Sequence, residues 1–306
     1  AFLAAHPEAA GGLSVADLDR YLDLYTRNSF QLTWNFPETA ARLGLTPEDV
    51  AGLARTLDLT YRVAVAALDR QFGALLDRIH RHGLDGAGLI VFTSDHGEIL
   101  YRQNAFFHWT HGKQLAPEVL EVPCLIRGAG VRPGPYDQVT RSVDLFPTLA
   151  GLCRVSLPRG LDLPGQDLSD ALRGTGPEPD LTAYSHTSLL APEEYRRPPG
   201  LTLRNTLHPA PEPRYIWTLI RDRDRVFQLC RQLSGDWHVQ VFDWASDRGE
   251  IRDLYDPKNP EHAARKQDLL AYKLRLEEGF AREEADTTTA ARQERLERLR
   301  SLGYVN

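Results

Sequence analysis

Methionine does not occur in this sequence of 306 residues. The chain opens Ala1-Phe2-Leu3, so a truncated or processed polypeptide is expected. Cysteine is scarce: Cys124, Cys153 and Cys230 each stand alone. Three scattered thiols exclude a disulfide framework and lack the spacing of a zinc site. Cys124 and Cys230 fall in apolar, strand-like runs and read as core thiols. No apolar run is long enough to cross a bilayer, and no signal peptide is visible. The compartment therefore stays open, and export to the periplasm or outside is compatible with a leader lying beyond this sequence. Positive charge is not in excess. Lys and Arg number 36 against 42 Asp and Glu, a net charge of −6, which excludes a broad nucleic-acid surface. No internal repeat or low-complexity segment is present. At roughly 300 residues a chain can bury about 75% of its unfolded surface, so no metal is needed merely to hold the fold.

What is present centres on residues 88–97, Gly-Leu-Ile-Val-Phe-Thr-Ser-Asp-His-Gly. Leu89, Ile90, Val91 and Phe92 form an unbroken apolar run, which predicts a strand buried on both faces, as in a parallel sheet. The run stops at Thr93 and Ser94. In open α/β sheets ligands gather beyond the carboxyl ends of strands, which is where Asp95 and His96 then lie. Side by side they offer one hard oxygen and one imidazole nitrogen to a metal. Ahead of this strand, Thr46-Pro47-Glu48-Asp49 is a strong helix start. Val65, Leu68, Phe72, Leu75 and Ile79 step by three and four and predict one buried stripe. Gly83 ends the helix.

Elsewhere Ser14 and Asp17 have capping-box spacing for a helix reaching about Asn28. Residues 28–44 read as a loop with a short helix. After Gly97 a polar and aromatic loop, 98–117, carries His108, His111 and Lys113. Residues 122–127 form the next strand, and 142–153 and 166–173 short helices. The Gly- and Pro-rich stretch 174–179 is a seam. It divides an α/β core, 1–175, from a C-terminal subdomain, 176–306. In the latter, 215–221, 225–231 and 237–244 predict a small antiparallel sheet, and 261–280 and 290–302 helices.

Val91-Phe92-Thr93-Ser94-Asp95-His96-Gly97-Glu98, then the His- and Lys-bearing loop, then Val122-Pro123-Cys124-Leu125-Ile126, resembles the sulfatases of the alkaline phosphatase-like superfamily. Ala67-Leu68-Asp69-Arg70-Gln71-Phe72-Gly73 is similar to the helix before that strand. Ser142-Val143-Asp144-Leu145-Phe146-Pro147-Thr148-Leu149 and the ending Leu302-Gly303-Tyr304-Val305 are similar to later sulfatase segments. The resemblance implies an α/β fold with an alkaline phosphatase-like mixed sheet flanked by helices, here partial, plus a small C-terminal antiparallel sheet and helices. It implies a metal-dependent sulfuric ester hydrolase acting on a small-molecule sulfate or phosphate ester. Asp95 and His96 would be metal ligands, calcium foremost, with manganese or zinc as alternatives. Lys113 would contact a sulfate oxygen, and His111 could protonate the leaving oxygen, since an imidazole exchanges protons near neutral pH. Glu98 is left open between a supporting role, a helix start and a catalytic one. His108 is expected to be an exposed loop residue.

The sequence departs from the family in several respects: the spacing from Lys113 to Pro123 is about one residue short, Ala116-Pro117-Glu118 stands where Tyr-Glu-Glu is expected, and the two acidic ligands usual near a sulfatase N-terminus are absent. No Cys/Ser-x-Pro-x-Arg motif occurs, so the formylglycine nucleophile is expected only in a segment outside this sequence. Two ligands alone bind calcium weakly, since it takes roughly six to eight oxygens. The alternatives are a phosphonate monoester hydrolase, phosphodiesterase or phosphoethanolamine transferase of the same superfamily, which His96 favours, and a non-catalytic remnant. Nothing in the sequence indicates an oligomeric state.

Overall fold

A computed structural model of the chain describes residues 11–34, 36–86, 88–101, 108–112, 115–188, 214–220, 225–232, 237–286 and 297. Helix α1 (Val15–Trp34) starts where Ser14 Oγ accepts the Asp17 N–H at 3.2 Å and the Asp17 carboxylate accepts the Ser14 N–H at 2.9 Å. It passes its expected end: Asn28 leaves helical geometry, yet the helix resumes to Trp34. The Asn28 amide donates to the Leu24 carbonyl at 2.9 Å, so its side chain competes with the helix ladder and produces a kink rather than a stop. Helix α2 (Phe36–Arg42) follows, and then α3 (Pro47–Arg81). Thr46 and Asp49 cap each other reciprocally, with Pro47 in the first turn. At the far end Gly83 takes a positive φ, and Leu84 N–H closes back on the Ile79 carbonyl at 3.1 Å.

The three helices share a core of Tyr21, Leu32, Phe36, Ala40, Leu53 and Leu57. A Cβ at Gly52 would overlap the Tyr21 ring, so the absence of a side chain there lets α1 lie against α3. Burial along α3 stops at Leu59. The predicted stripe beyond it is not buried: Leu68 is 51% and Leu75 50% exposed. Only Phe72 finds an aromatic partner, Phe92, at 4.8 Å between ring centroids.

Strand β1 (Leu89–Thr93) pairs antiparallel with β2 (Cys124–Gly128), in register from Leu89 opposite Gly128 to Thr93 opposite Cys124. Among the described residues this ribbon has two strands, so β1 is half-buried and has an antiparallel neighbour. The expected burial on both faces within a parallel sheet is not found, because an apolar run reports burial tendency, not pairing direction. Cys124 is likewise exposed, not a core thiol; the Cys230 side chain lies outside the description.

Between the strands lies the short helix α4 (Pro117–Leu120). After β2 come a single 3₁₀ turn, Ser142–Asp144, and helices α5 (Leu145–Leu152) and α6 (Ser169–Arg173). Asp144 is buried. It takes Arg141 in a two-pronged ion pair, the shortest contact 2.6 Å, and accepts the Gln166 N–H at 2.8 Å. The Arg173 guanidinium donates to the carbonyls of Ala129, Gly151 and Leu152 and ties these turns together.

Strands β3 (Ala183–Ser188), β4 (Arg214–Ile220), β5 (Arg225–Gln232) and β6 (Trp237–Asp243) form an antiparallel meander in chain order. The sequence indicates the last three; β3 is hidden by its polar composition, Ala-Tyr-Ser-His-Thr-Ser. Val226, Phe242 and Trp244 form a small core against which Leu120 of α4 packs. Glu121 also holds Arg248 through two contacts, 2.6 and 3.0 Å. Helix α7 (Pro260–Asp286) covers the expected 261–280; the expected helix at 290–302 lies, but for residue 297, outside the described residues. Two compact units are distinguished, Ala1–Leu254 and Tyr255–Asn306, and the seam expected at 175/176 falls inside the first. Among the described residues no helix is long and apolar enough to cross a membrane.

Candidate active site

The backbone leaves β1 at Thr93 and turns through Ser94, Asp95, His96 and Gly97. Ser94 Oγ donates to the His96 carbonyl at 2.8 Å, and the His96 N–H donates to Asp95 Oδ1 at 2.9 Å. This tight turn puts the Asp95 carboxylate, 80% exposed, into solvent with Oδ2 3.8 Å from His96 Nε2. The His96 amide first, and the neighbouring imidazole second, hold the Asp95 carboxyl below the usual carboxylate range. The other ring nitrogen of His96, Nδ1, lies 2.9 Å from the Gly97 carbonyl. A carbonyl can only accept, so Nδ1 carries a proton, and in the neutral ring Nε2, on the Asp95 side, is the lone-pair nitrogen. That is the tautomer a metal-ligating histidine needs.

Gly97 is required for a steric reason. Its N–H donates to the Val119 carbonyl at 2.9 Å, and a Cβ there would overlap the Glu118 carbonyl oxygen. Ile99 is fully buried with Ala116 and Val119. Ile99 and Thr110 exchange backbone hydrogen bonds of 3.0 and 3.1 Å, which folds the loop back on itself. As a result His111 returns to the strand end. Its ring stacks on His96, centroids 3.8 Å apart and planes 23° from parallel. Its Nδ1 lies 3.1 Å from Glu98 Oε2. Thr187 of β3 donates to the Gly112 carbonyl at 2.5 Å and fixes the next residue.

Three residues expected at the site, Asp95, His96 and His111, are thus brought together, and Lys113 lies outside the described residues. His108 is placed differently from the exposed loop position expected of it. It is 2% exposed, with its ring 4.9 Å from Phe36, 5.0 Å from Tyr101 and 5.6 Å from Trp109. Burial among these rings pushes its pKa down to about 4. It belongs to the core beneath the loop. The Glu98–His111 contact has no counterpart in sequence spacing, because a thirteen-residue excursion separates the partners.

The donor set fits a divalent cation in part. Asp95 and His96 supply one carboxylate and one imidazole nitrogen, but among the described residues no group of three or more His, Cys, Asp or Glu could hold a metal ion. The residues present make up part of a coordination shell.

Comparison with known proteins shows what these features resemble. Residues 22–155 match the sulfatase family model. An ulvan-active sulfatase of Formosa agariphila is 30% identical over 169 residues, 54% of this chain and 30% of that protein. Arylsulfatase A of Bos taurus is 32% identical over 134 residues, 42% of this chain and 26% of that one. A solved structure of a protein in complex with its substrate, D-glucosamine-2-N,6-O-disulfate, superposes with a TM-score of 0.53 at 21% identity, over 81% of this chain and 45% of that one. The chain spans less than a third of the length of these curated relatives. On these grounds the stretch 22–155 is similar to the sulfatases, and the chain shares a mixed α/β fold with that solved structure.

Proposed function

We propose that the chain forms part of a metal-dependent sulfuric ester hydrolase. The carrying observation is the cluster at the end of β1. Asp95 and His96 face each other across 3.8 Å, and His111 is stacked against His96. Sulfate esters resist attack because their oxygens repel nucleophiles, and a divalent cation, when bound, neutralises that charge. Asp95 and His96 would hold it, with calcium the expected ion and manganese or zinc the alternatives. The lowered pKa of Asp95 keeps that ligand anionic. His111 would give a proton to the leaving oxygen. Lys113, two residues on, would contact a sulfate oxygen, a role resting on the sequence resemblance. No Cys or Ser of this chain stands in the nucleophile motif, so the attacking group is assigned to none of its residues. The substrate is a small sulfate ester.

The test is Asp95→Ala in the whole protein, assayed with an aryl sulfate. Losing a charge-stabilising contact at such a site costs about 100-fold or more in turnover. Unchanged turnover would end the reading. A second reading, phosphoryl chemistry on the same fold, is favoured by a histidine, His96, beside Asp95. Comparing kcat/KM for an aryl sulfate and an aryl phosphonate separates the two.

A further inference from the structure

We propose that Glu98 is a positioning residue for His111: its carboxylate fixes the imidazole with the proton on Nδ1 and leaves Nε2 as the nitrogen that serves an ester. The proposal rests on the reading of His111 as a proton donor and adds a residue to it. Four observations support it. Glu98 Oε2 lies 3.1 Å from His111 Nδ1, and a carboxylate can only accept, so that nitrogen carries hydrogen. The other oxygen, Oε1, is buried and accepts no hydrogen bond among the described residues, so among them the carboxylate bonds through Oε2 to His111. Both chain neighbours of Glu98 are fixed, Gly97 against the Glu118–Val119 backbone and Ile99 in its bridge to Thr110. The backbone that carries the carboxylate is therefore held in place. Finally, the face of the His111 ring is held against His96 at 3.8 Å.

With one face and Nδ1 of the ring engaged, Nε2 is the nitrogen that remains for an ester. The proton that His111 gives up to a leaving oxygen is then always the one on Nε2. The ring that remains is the neutral Nδ1–H form that Glu98 already holds, and solvent returns a proton to Nε2. A carboxylate acting on an imidazole in this way orients it and selects its tautomer without touching the substrate.

The experiment reads the tautomer directly. Imidazole ¹⁵N resonances are recorded on this chain at about pH 8.5, with His111 assigned through its loss in His111→Phe. The expected result is the Nδ1–H tautomer in the wild type and, in Glu98→Ala, about a tenfold change in the tautomer ratio toward Nε2–H. An Nε2–H tautomer in the wild type overturns the proposal. So does an unchanged ratio in a Glu98→Ala protein whose amide spectrum matches the wild type. If Glu98→Ala does not fold, the wild-type spectrum decides alone. Because this readout needs no turnover, its failure is separate from failure of the Asp95→Ala test, which bears only on the sulfatase reading.

Discussion

Acid should weaken this fold in part through His108. Its ring is 2% exposed and lies among Phe36, Tyr101 and Trp109, where burial lowers its pKa from 6.5 to about 4. A histidine with a depressed pKa in the folded state binds its proton more readily when unfolded. Its contribution to stability is therefore full above about pH 6.5 and is lost as pH falls toward 4. The pKa difference of about 2.5, at 1.36 kcal/mol per pH unit, sets a ceiling of about 3 kcal/mol below pH 4 and about 2 kcal/mol at pH 5. The assay is urea unfolding at about pH 7.5 and pH 5 for the wild type and His108→Leu. The other titrating groups are common to both proteins, so the difference between the two pH responses isolates His108. The wild type should lose about 2 kcal/mol more than the variant on acidification. Equal losses would show that this ring takes up its proton as readily in the folded state as in the unfolded one and that the burial argument is wrong.

Two further substitutions probe the scaffold under the site. Gly97→Ala drives a Cβ into the Glu118 carbonyl and should cost about 1–3 kcal/mol, read as a lowered thermal midpoint; an unchanged midpoint would mean that the strand end and α4 are not in close contact. Asp144→Ala leaves the largely buried Arg141 guanidinium without its carboxylate and the Gln166 N–H without an acceptor. It should cost about 3–5 kcal/mol in urea unfolding, and a cost below about 1 kcal/mol would show the pair to be dispensable.

Much of the site was legible because its cues are local. The Ser14 and Thr46 caps, Gly83 at the end of α3, and the Asp95-His96 pair at a strand end are each set by residues within a turn of one another. What the sequence left hidden depends on distant partners. The apolar run at 89–92 gave a strand but not its antiparallel neighbour, since direction is decided by what lies alongside. His108 and His111 looked alike in a polar loop; the Ile99–Thr110 bridge sends one into the core and the other back to the strand end. Strand β3 lacks apolar alternation and is defined by its pairing with β4. The stripe on α3 has the right period for burial, yet the helix meets its core only ahead of that stripe, up to Leu59.

That last feature has a mechanical side. A rod of 35 residues is clamped at one end by the α1–α2 layer, while near the other Phe72 meets Phe92. Amide hydrogens in its first turns are protected by the whole cluster, whereas those past Leu59 have little beyond the helix ladder itself. Deuterium uptake would thus quicken along the rod toward Gly83, and transient unwinding there would begin from the free end while the clamped turns stay intact.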